Sequence, residues 1–164
     1  MTCLISILGA VTQIEIRPTR YGAPVARKLI AELMADLAER YGDSDATPIE
    51  AVEFDPPDGG FFVAYLDGAA VGCGGWRSFG GSEEVAEIKR VYTSADGRGK
   101  GVARAVMTAL ETDARAHGRV RAILETGLAQ PEAIALYQAI GYQLIENFGH
   151  YRDKPGCRSF GRTL

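Results

Sequence analysis

The sequence predicts a layered α/β protein, in which helices pack on a mixed β-sheet. Short β-rich runs alternate with segments whose apolar residues recur every four positions, as on one face of a helix. An Asp-Gly pair between two β-rich runs indicates an antiparallel hairpin. One short apolar strand follows a long helix, which indicates a parallel crossover. The predicted order of elements is therefore β-α-β-β-β-α-β-α-β-β.

The first half of the chain is predicted to contain one helix and four strands. Residues 12–18, TQIEIRP, alternate polar and apolar side chains, as a strand does. Residues 23–41 form an amphipathic helix whose apolar stripe includes Val25, Leu29, Leu33 and Leu37. Residues 41–60 are rich in turn formers, acids and prolines, so we expect mostly loop and a short helical turn. A hairpin turning at Asp67-Gly68 and a strand over 83–93 follow.

The second half adds two helices and three strands. A helix begins within GRGKGVA (97–103), runs to about His117 and ends at Gly118. Residues 121–126, RAILET, form the strand of the crossover. The segment QPEAIALYQAIGY is a shorter helix with a proline near its first turn and a glycine at its end. The closing strands are YQLIEN and CRSFGRTL.

Length and composition place the chain among ordinary globular proteins. Its 164 residues fit one domain, which we expect to span 11–164, with 1–10 as a leader or a strand extension. A net charge of −3 provides no basic field for nucleic acid. Without a run long enough for a membrane span, the chain is expected to be soluble and cytoplasmic.

The three cysteines predict neither a disulfide framework nor a metal site. Cys3, Cys73 and Cys157 are widely spaced and odd in number, and no CxxC pair occurs. Only His117 and His150 could join them as zinc ligands. We therefore expect buried, reduced thiols and no metal.

The stretch GRGKGVA predicts an anion-binding turn. Glycines at positions 97, 99 and 101 leave main-chain N–H groups open just before a helix, whose dipole adds partial positive charge. Such a turn suits a diphosphate, although a flexible turn would also use glycine. It lacks the Gly-Lys-Ser/Thr ending of a nucleotide P-loop and departs from GxGxxG, so a nucleotide switch and a dinucleotide site are disfavoured.

Two motifs together resemble the GNAT (GCN5-related N-acetyltransferase) superfamily. RGKGVA matches its Q/R-x-x-G-x-G/A signature, and AIALYQAIGYQLIE resembles its A-x-x-L-Y-x-x-x-G-F segment. EIKRVYT looks like the family's fourth strand, and the resemblance covers about residues 12–164. It implies a GNAT-type mixed, mainly antiparallel sheet of six to seven strands flanked by about four helices. It also implies acetyl-CoA as co-substrate.

The resemblance also implies which residues hold acetyl-CoA. Loop amides would bind its diphosphate, at Arg98, Gly99, Lys100, Gly101, Val102 and Ala103. The pantetheine arm would pair with the backbone of Val91, Tyr92 and Thr93, where two strands splay apart. Gln130 stands where the family often has asparagine, so a side-chain amide remains available to CoA. Tyr137 of the Leu-Tyr pair would protonate the departing thiolate, whereas its helical spacing alone also fits a core residue.

Two further groups complete the predicted chemistry. The N–H of Val91 would polarise the thioester carbonyl. Glu87 is the candidate base for the acceptor ammonium, directly or through water, and its alternative is a structural ion pair with Lys89 or Arg77. Trp76 and Tyr151 could line the acceptor pocket, or belong to the sheet core and a connecting loop.

The predicted function is transfer of acetyl from acetyl-CoA to a small-molecule or peptide amine by direct attack, because no cysteine lies in either motif. The alternative is a non-catalytic acyl-CoA-binding module on the same fold. Acceptor choice is expected in the loops 42–60 and 147–157 and the first helix. Acids within 43–55 suggest either a cationic acceptor or a solvated loop. A homodimer through the closing strands is plausible.

Overall fold

The computed structural model describes residues 2–7 and 10–164, with side chains from residue 13 onward. The strands are β1 (Thr2–Ile7), β2 (Ala10–Pro18), β3 (Gly59–Leu66), β4 (Ala69–Ser78), β5 (Val85–Thr93), β6 (Arg121–Gly127), β7 (Gln143–Ile145) and β8 (Cys157–Thr163). The helices are α1 (Pro24–Tyr41), α2 (Val102–Ala116) and α3 (Pro131–Ala139). All eight strands form one sheet in the order β1-β2-β3-β4-β5-β6-β8-β7.

The sheet is mainly antiparallel, with a parallel pair at its centre. β5 and β6 run parallel, and the other neighbouring pairs of the described strands are antiparallel. This confirms the crossover predicted through the long second helix. The β3–β4 hairpin turns at Asp67 and Gly68, whose φ angles of 48° and 88° are the positive values that the Asp-Gly pair predicted.

The helices cover both faces of the sheet. Along β3, Phe61 and Val63 pack in a core with Leu29 of α1, whereas Leu66 packs in a second core with Leu110 of α2. Successive side chains of a strand point to opposite faces, so the two cores lie on opposite sides of the sheet. The predicted layered α/β architecture is confirmed.

Two glycines of β4 let α2 lie close to the sheet. A Cβ on Gly72 would lie 2.7 Å from Cγ1 of Val102, and one on Gly74 would lie 2.8 Å from Cγ1 of Val106. Both distances are too short for real atoms, so only glycine permits this spacing. The close packing holds the N-terminal half of α2 against β4, which is the neighbour of β5 in the sheet.

The numbers of elements differ from the expectation. Residues 2–7 and 10–164 contain eight strands rather than six to seven, and three α-helices rather than about four. Residues 2–7 form a strand by pairing with β2, which adds one strand to the sheet. Between α1 and β3, residues 42–58 contain no helix except a 3-10 turn at Ala51–Phe54, because prolines and turn formers interrupt any longer helix. None of the helices described is both long and apolar enough to cross a membrane.

Candidate active site

The centre of the sheet opens between its two parallel strands. Residues 85–88 of β5 pair with residues 121–124 of β6, and the pairing ends there although both strands continue. We call the gap between residues 89–93 and 125–127 the notch. It leaves one backbone edge of each strand free of partners from the other.

A β-bulge in β5 lies at the start of the notch. Lys89 pairs with Gly75 and Tyr92 with Cys73, so two residues of β5, Arg90 and Val91, oppose one residue of β4. Arg90 has a φ of 60°, a left-handed conformation that is uncommon for a side chain of its size. Backbone strain of this kind often marks a functional site.

A backbone hydrogen bond next to the bulge indicates which N–H groups of β5 face the notch. Ser94 donates its backbone N–H to the carbonyl oxygen of Val71 on β4, at 2.8 Å. Since N–H groups alternate between the two edges of a strand, those of Val91 and Thr93 are turned toward the notch. The side-chain hydroxyls of Thr93 and Thr126, one on each side, are buried without a hydrogen-bond partner in the described chain. Open backbone edges and spare hydroxyls fit an amide-bearing pantetheine arm.

A cavity of about 620 Å³ continues from the notch. It is enclosed by α1, α3, the start of the loop after α1 and the loop before β8. Its lining includes residues 43–46, 88–91, 124–127 and 154–157. The sequence-predicted residues Val91, Gln130 and Tyr137 meet here, although they lie far apart in the chain.

Tyr137 faces this cavity from α3. Its side chain packs against the rings of Tyr142 and Phe160, with centroids 6.0 Å and 6.5 Å away. The residue is 7% exposed, and burial raises the pKa of its phenol to about 12. Because of this raised pKa, the proton stays on the phenol at neutral pH. The hydroxyl makes no hydrogen bond within the described residues, so it is free to donate to a ligand in the cavity.

The glycine-rich loop opens directly into α2. Gly101 is the N-cap of the helix, and both it and Gly99 have positive φ angles, of 81° and 71°. A Cβ on Gly99 would meet nothing within 4 Å, so the approach to the loop is open. Lys100 folds back, with Nζ donating to the carbonyl oxygen of Asp96 at 2.8 Å, and Arg98 lies 3.9 Å from Asp36. The first amides of α2 have no partner within the helix, as at any helix N-terminus, so they are available to an anion.

Glu87 lies in β5 but outside the lining of the cavity. Its Oε2 accepts a hydrogen bond of 2.8 Å from Nε of Arg77, and its side chain is 5% exposed. Arg77 in turn binds Glu53, at 2.9 Å. Glu87 thus has the ion pair that was the structural alternative to its role as a base.

A second carboxylate, which sequence reasoning missed, does line the cavity. Glu125 lies on β6, its side chain is 7% exposed, and its Oε1 has no hydrogen-bond partner in the described chain. Burial is the main cause that raises the pKa of this carboxyl, and the charge of Lys89, 4.0 Å away, opposes it. One feature of the sequence could have indicated Glu125: it is a carboxylate near the end of the short apolar strand RAILET.

Most of the chain matches the model of a known protein family. The model of the Acetyltransferase (GNAT) family matches residues 26–142. The chain belongs to the GNAT acetyltransferase family. An IAA acetyltransferase of Azospirillum brasilense is 33% identical over 130 residues, which are 78% of this chain and 83% of that protein. The resemblance stated from the two motifs is therefore confirmed.

Two solved structures share the fold. An acetyltransferase of Elizabethkingia anophelis with acetyl-CoA bound has a TM-score of 0.66 and 17% identity, over 92% of this chain and 98% of that one. N-acetylglutamate synthase of Neisseria gonorrhoeae, complexed with coenzyme A and N-acetyl-glutamate, has a TM-score of 0.67 and 20% identity. The match covers 92% of this chain and 35% of the synthase.

The remaining aromatic candidates of this GNAT chain divide between core and cavity. Trp76 is fully buried, and its Nε1 donates to Asp113 at 2.7 Å, so it belongs to the core. Tyr151 lines the cavity, and its hydroxyl accepts a hydrogen bond of 2.6 Å from the N–H of Ala46, which joins the two loops over the cavity. Gln130 also lines it, with Oε1 accepting from the hydroxyl of Tyr41 at 3.1 Å.

Two of the three cysteines have side chains that the structure describes. Cys73 and Cys157 are free and buried, while Cys3 lies where side chains are not described. Cys157 lines the cavity, and burial raises the pKa of its thiol. Within the described ranges no three His, Cys, Asp or Glu side chains form a group that could hold a metal ion, and a metal-free site stays a prediction.

Proposed function

We propose that this chain transfers an acetyl group from acetyl-CoA to a primary amine, by direct attack of the amine within a ternary complex. The observation that carries the proposal is the notch. Its strand β5 leads into the glycine-rich N-terminus of α2, and the notch opens into a cavity that contains a protonated phenol and a buried carboxylate. Family membership supports acetyl transfer.

Acetyl-CoA, when bound, supplies the thioester. The amides of residues 98–103 would hold its diphosphate, and the strand edge at Val91, Tyr92 and Thr93 would hold the pantetheine arm. Open main-chain donors at the positive end of α2 fit a diphosphate, and the unpartnered hydroxyls of Thr93 and Thr126 fit an amide-rich arm. The Elizabethkingia structure, which holds acetyl-CoA on this fold, supports acetyl-CoA as the ligand.

Three groups would act on the reacting atoms. The N–H of Val91 would donate to the carbonyl oxygen as negative charge develops on it. Glu125 would accept the proton that the amine loses when its nitrogen bonds to the carbonyl carbon. Tyr137 would give its phenolic proton to the sulfur as the carbon–sulfur bond breaks.

Glu87 remains a candidate base, although Lys89 rather than Glu87 lines the cavity. Its Oε1 lies 4.0 Å from Nζ of Lys89, which is also 4.0 Å from Glu125. We propose that the proton goes to Glu125 first, and that Glu87 positions Lys89 or accepts the proton through water. Direct attack rather than a thiol-bound route is favoured because the raised pKa of Cys157 keeps that thiol protonated and a poor nucleophile.

An amine as acceptor draws support from one relative. The Neisseria synthase holds N-acetyl-glutamate, an acetylated amino group. The competing function is a regulatory module that binds acyl-CoA without turnover.

Calorimetry with CoA and free-thiol release from acetyl-CoA over a panel of amines test the proposal. We expect CoA binding and amine-dependent release. CoA binding without release from any amine would favour the regulatory module, and the absence of CoA binding would overturn both functions.

A further inference from the structure

We propose that the acceptor is an amine that also carries a carboxylate, as an amino acid does, and that Arg90 and Lys89 bind this carboxylate. The proposal rests on the N-acetyltransferase function above and names the class of its acceptor. It is argued from two buried cations, Lys89 and Arg90, and from two carboxylates that line the same cavity. These carboxylates belong to Asp45, in the loop after α1, and to Glu125, on β6.

The β-bulge brings two consecutive cations to one point. Lys89 and Arg90 would ordinarily point to opposite faces of the sheet. Here both reach the same oxygen, Oδ2 of Asp45: Nη1 of Arg90 bonds to it, and Nζ of Lys89 lies 3.8 Å from it. The two side chains are each 7% exposed, and both residues line the cavity. The strained φ of Arg90 is what makes this convergence possible.

The carboxylate of Asp45 shows that Lys89 and Arg90 can bind a carboxylate. Asp45 belongs to an irregular segment that lines the cavity, and its other oxygen accepts hydrogen bonds from Thr47, at 2.9 Å and 2.6 Å. The fork of Arg90 is only partly used: Nη1 binds Asp45, Nε lies 3.5 Å from the hydroxyl of Tyr21, and Nη2 has no partner among the described residues. A guanidinium fork suits two carboxylate oxygens, so Arg90 can hold a second carboxylate beside Asp45 or in its place.

Glu125 provides the negatively charged group to which the amino end of the acceptor would bind. Its unpartnered Oε1 can accept from an amino group, while Lys89 lies between it and Asp45. An acceptor with an amine and a carboxylate therefore finds a partner for each end. The nearby charge of Lys89 also favours the neutral amine that must attack the thioester.

A polycationic acceptor fits these surroundings less well. Two of the acids that suggested one from the sequence are paired with cations of the chain, because Asp45 binds Lys89 and Arg90, and Glu53 binds Arg77. A second positive charge on the acceptor would meet two buried cations. The charge balance therefore favours a zwitterion over a polyamine.

The test compares matched acceptors in the thiol-release assay. Each L-amino acid is paired with its carboxamide and with the amine that lacks the carboxylate, and polyamines are included. We expect kcat/KM to be about tenfold to a hundredfold higher for at least one free amino acid than for its two analogues, as a charge-assisted hydrogen-bond pair would give. Equal or better use of the analogues or polyamines would overturn the proposal.

Two substitutions test the assigned residues. Arg90→Gln should reduce the ratio of kcat/KM between an amino acid and its analogues to about one. Its affinity for CoA, measured by calorimetry, should be retained. Asp45→Asn removes the carboxylate that binds Lys89 and Arg90, so the preference for acceptors with a carboxylate should increase. If Asp45 instead bound a cationic acceptor, the same variant would lose activity with polyamines. Arg17→Gln removes a surface guanidinium paired with Glu15 and is the matched control, expected to behave as wild type.

The outcomes separate this proposal from the function on which it rests. Turnover of plain amines without preference for a carboxylate refutes the acceptor class and leaves the N-acetyltransferase intact. CoA binding without turnover of any amine refutes the N-acetyltransferase itself. If Arg90→Gln fails to fold, the preference of Asp45→Asn decides.

Discussion

The ammonium nitrogen of Lys89 lies 4.0 Å from Oε1 of Glu125 and 4.0 Å from Oε1 of Glu87. One buried cation thus lies between carboxylates of two adjacent parallel strands, at the point where their pairing ends. Glu125 is on the cavity side of this cation, whereas Glu87 is held by Arg77. The arrangement separates a carboxylate that can reach a substrate from one that fixes the local charge.

Replacing each carboxylate by its amide should distinguish these roles. Glu125→Gln removes the proton acceptor in the cavity, so kcat should fall by about 10²–10⁴-fold and the acidic limb of its pH profile should disappear. Glu87→Gln should retain most of kcat but lower the free energy of unfolding by about 1.5–3 kcal/mol, since a buried charge-assisted bond to Arg77 is weakened. Steady-state kinetics across pH and urea unfolding measure both effects. The reverse pattern, with the acidic limb lost only in Glu87→Gln, would return the role of base to Glu87.

Removal of one phenolic hydroxyl tests the proton donor. Tyr137→Phe should lower kcat by about 10²–10⁴-fold with CoA affinity unchanged, because the ring still packs while the proton is gone. Tyr142→Phe is the matched control, since this neighbouring tyrosine donates instead to Glu111, at 3.0 Å. The control should lose about 1.5–3 kcal/mol of stability and keep its turnover. Full turnover by Tyr137→Phe would leave Tyr137 as a core residue only.

A pair of glycine substitutions tests the diphosphate loop. Gly99→Ala and Gly68→Ala both place a Cβ at positive φ, 71° and 88°, with no atom within 4 Å. Each should cost about 1–2 kcal/mol of stability through backbone strain. Only Gly99→Ala should weaken CoA binding, by about tenfold or more, because its Cβ enters the approach to the open amides. Equal CoA affinities for the two variants by calorimetry would place the diphosphate elsewhere.

The Asp45 cluster makes stability depend on pH. Burial alone would raise the pKa of Asp45, but the charges of Lys89 and Arg90 and the bonds from Thr47 lower it from 3.8 to about 2. Because the folded pKa lies below the unfolded one, the stabilisation is complete above about pH 4 and is lost as pH falls toward about 2. It amounts to about 2 kcal/mol.

Urea unfolding of Asp45→Asn beside wild type checks this dependence. The difference in free energy of unfolding should be about 2 kcal/mol near pH 6 and should shrink at lower pH. A difference independent of pH would mean that Asp45 contributes through its hydrogen bonds rather than through its charge.

Local signals in the sequence anticipated the elements. The four-residue periods of α1 and α2, the Asp-Gly turn and the crossover to β6 act over short segments, and the structure has each where the pattern placed it. The eighth strand and the missing fourth helix were not anticipated. A strand over 2–7 exists only by pairing with β2, which is a tertiary event rather than a property of its own residues.

The sequence by itself determined the family and predicted the cofactor loop, since the glycines, the helix start and the Leu-Tyr segment are each contiguous and carry their chemistry locally. Only the tertiary structure decided which carboxylate lines the cavity. Glu87 and Glu125 lie on adjacent strands, and the end of their pairing opens the notch at one of them. Likewise, the convergence of Lys89 and Arg90 on Asp45 depends on a bulge whose positive φ no residue pattern revealed. Charge placement in a folded protein follows strand register and burial, and both are fixed by residues distant in the chain.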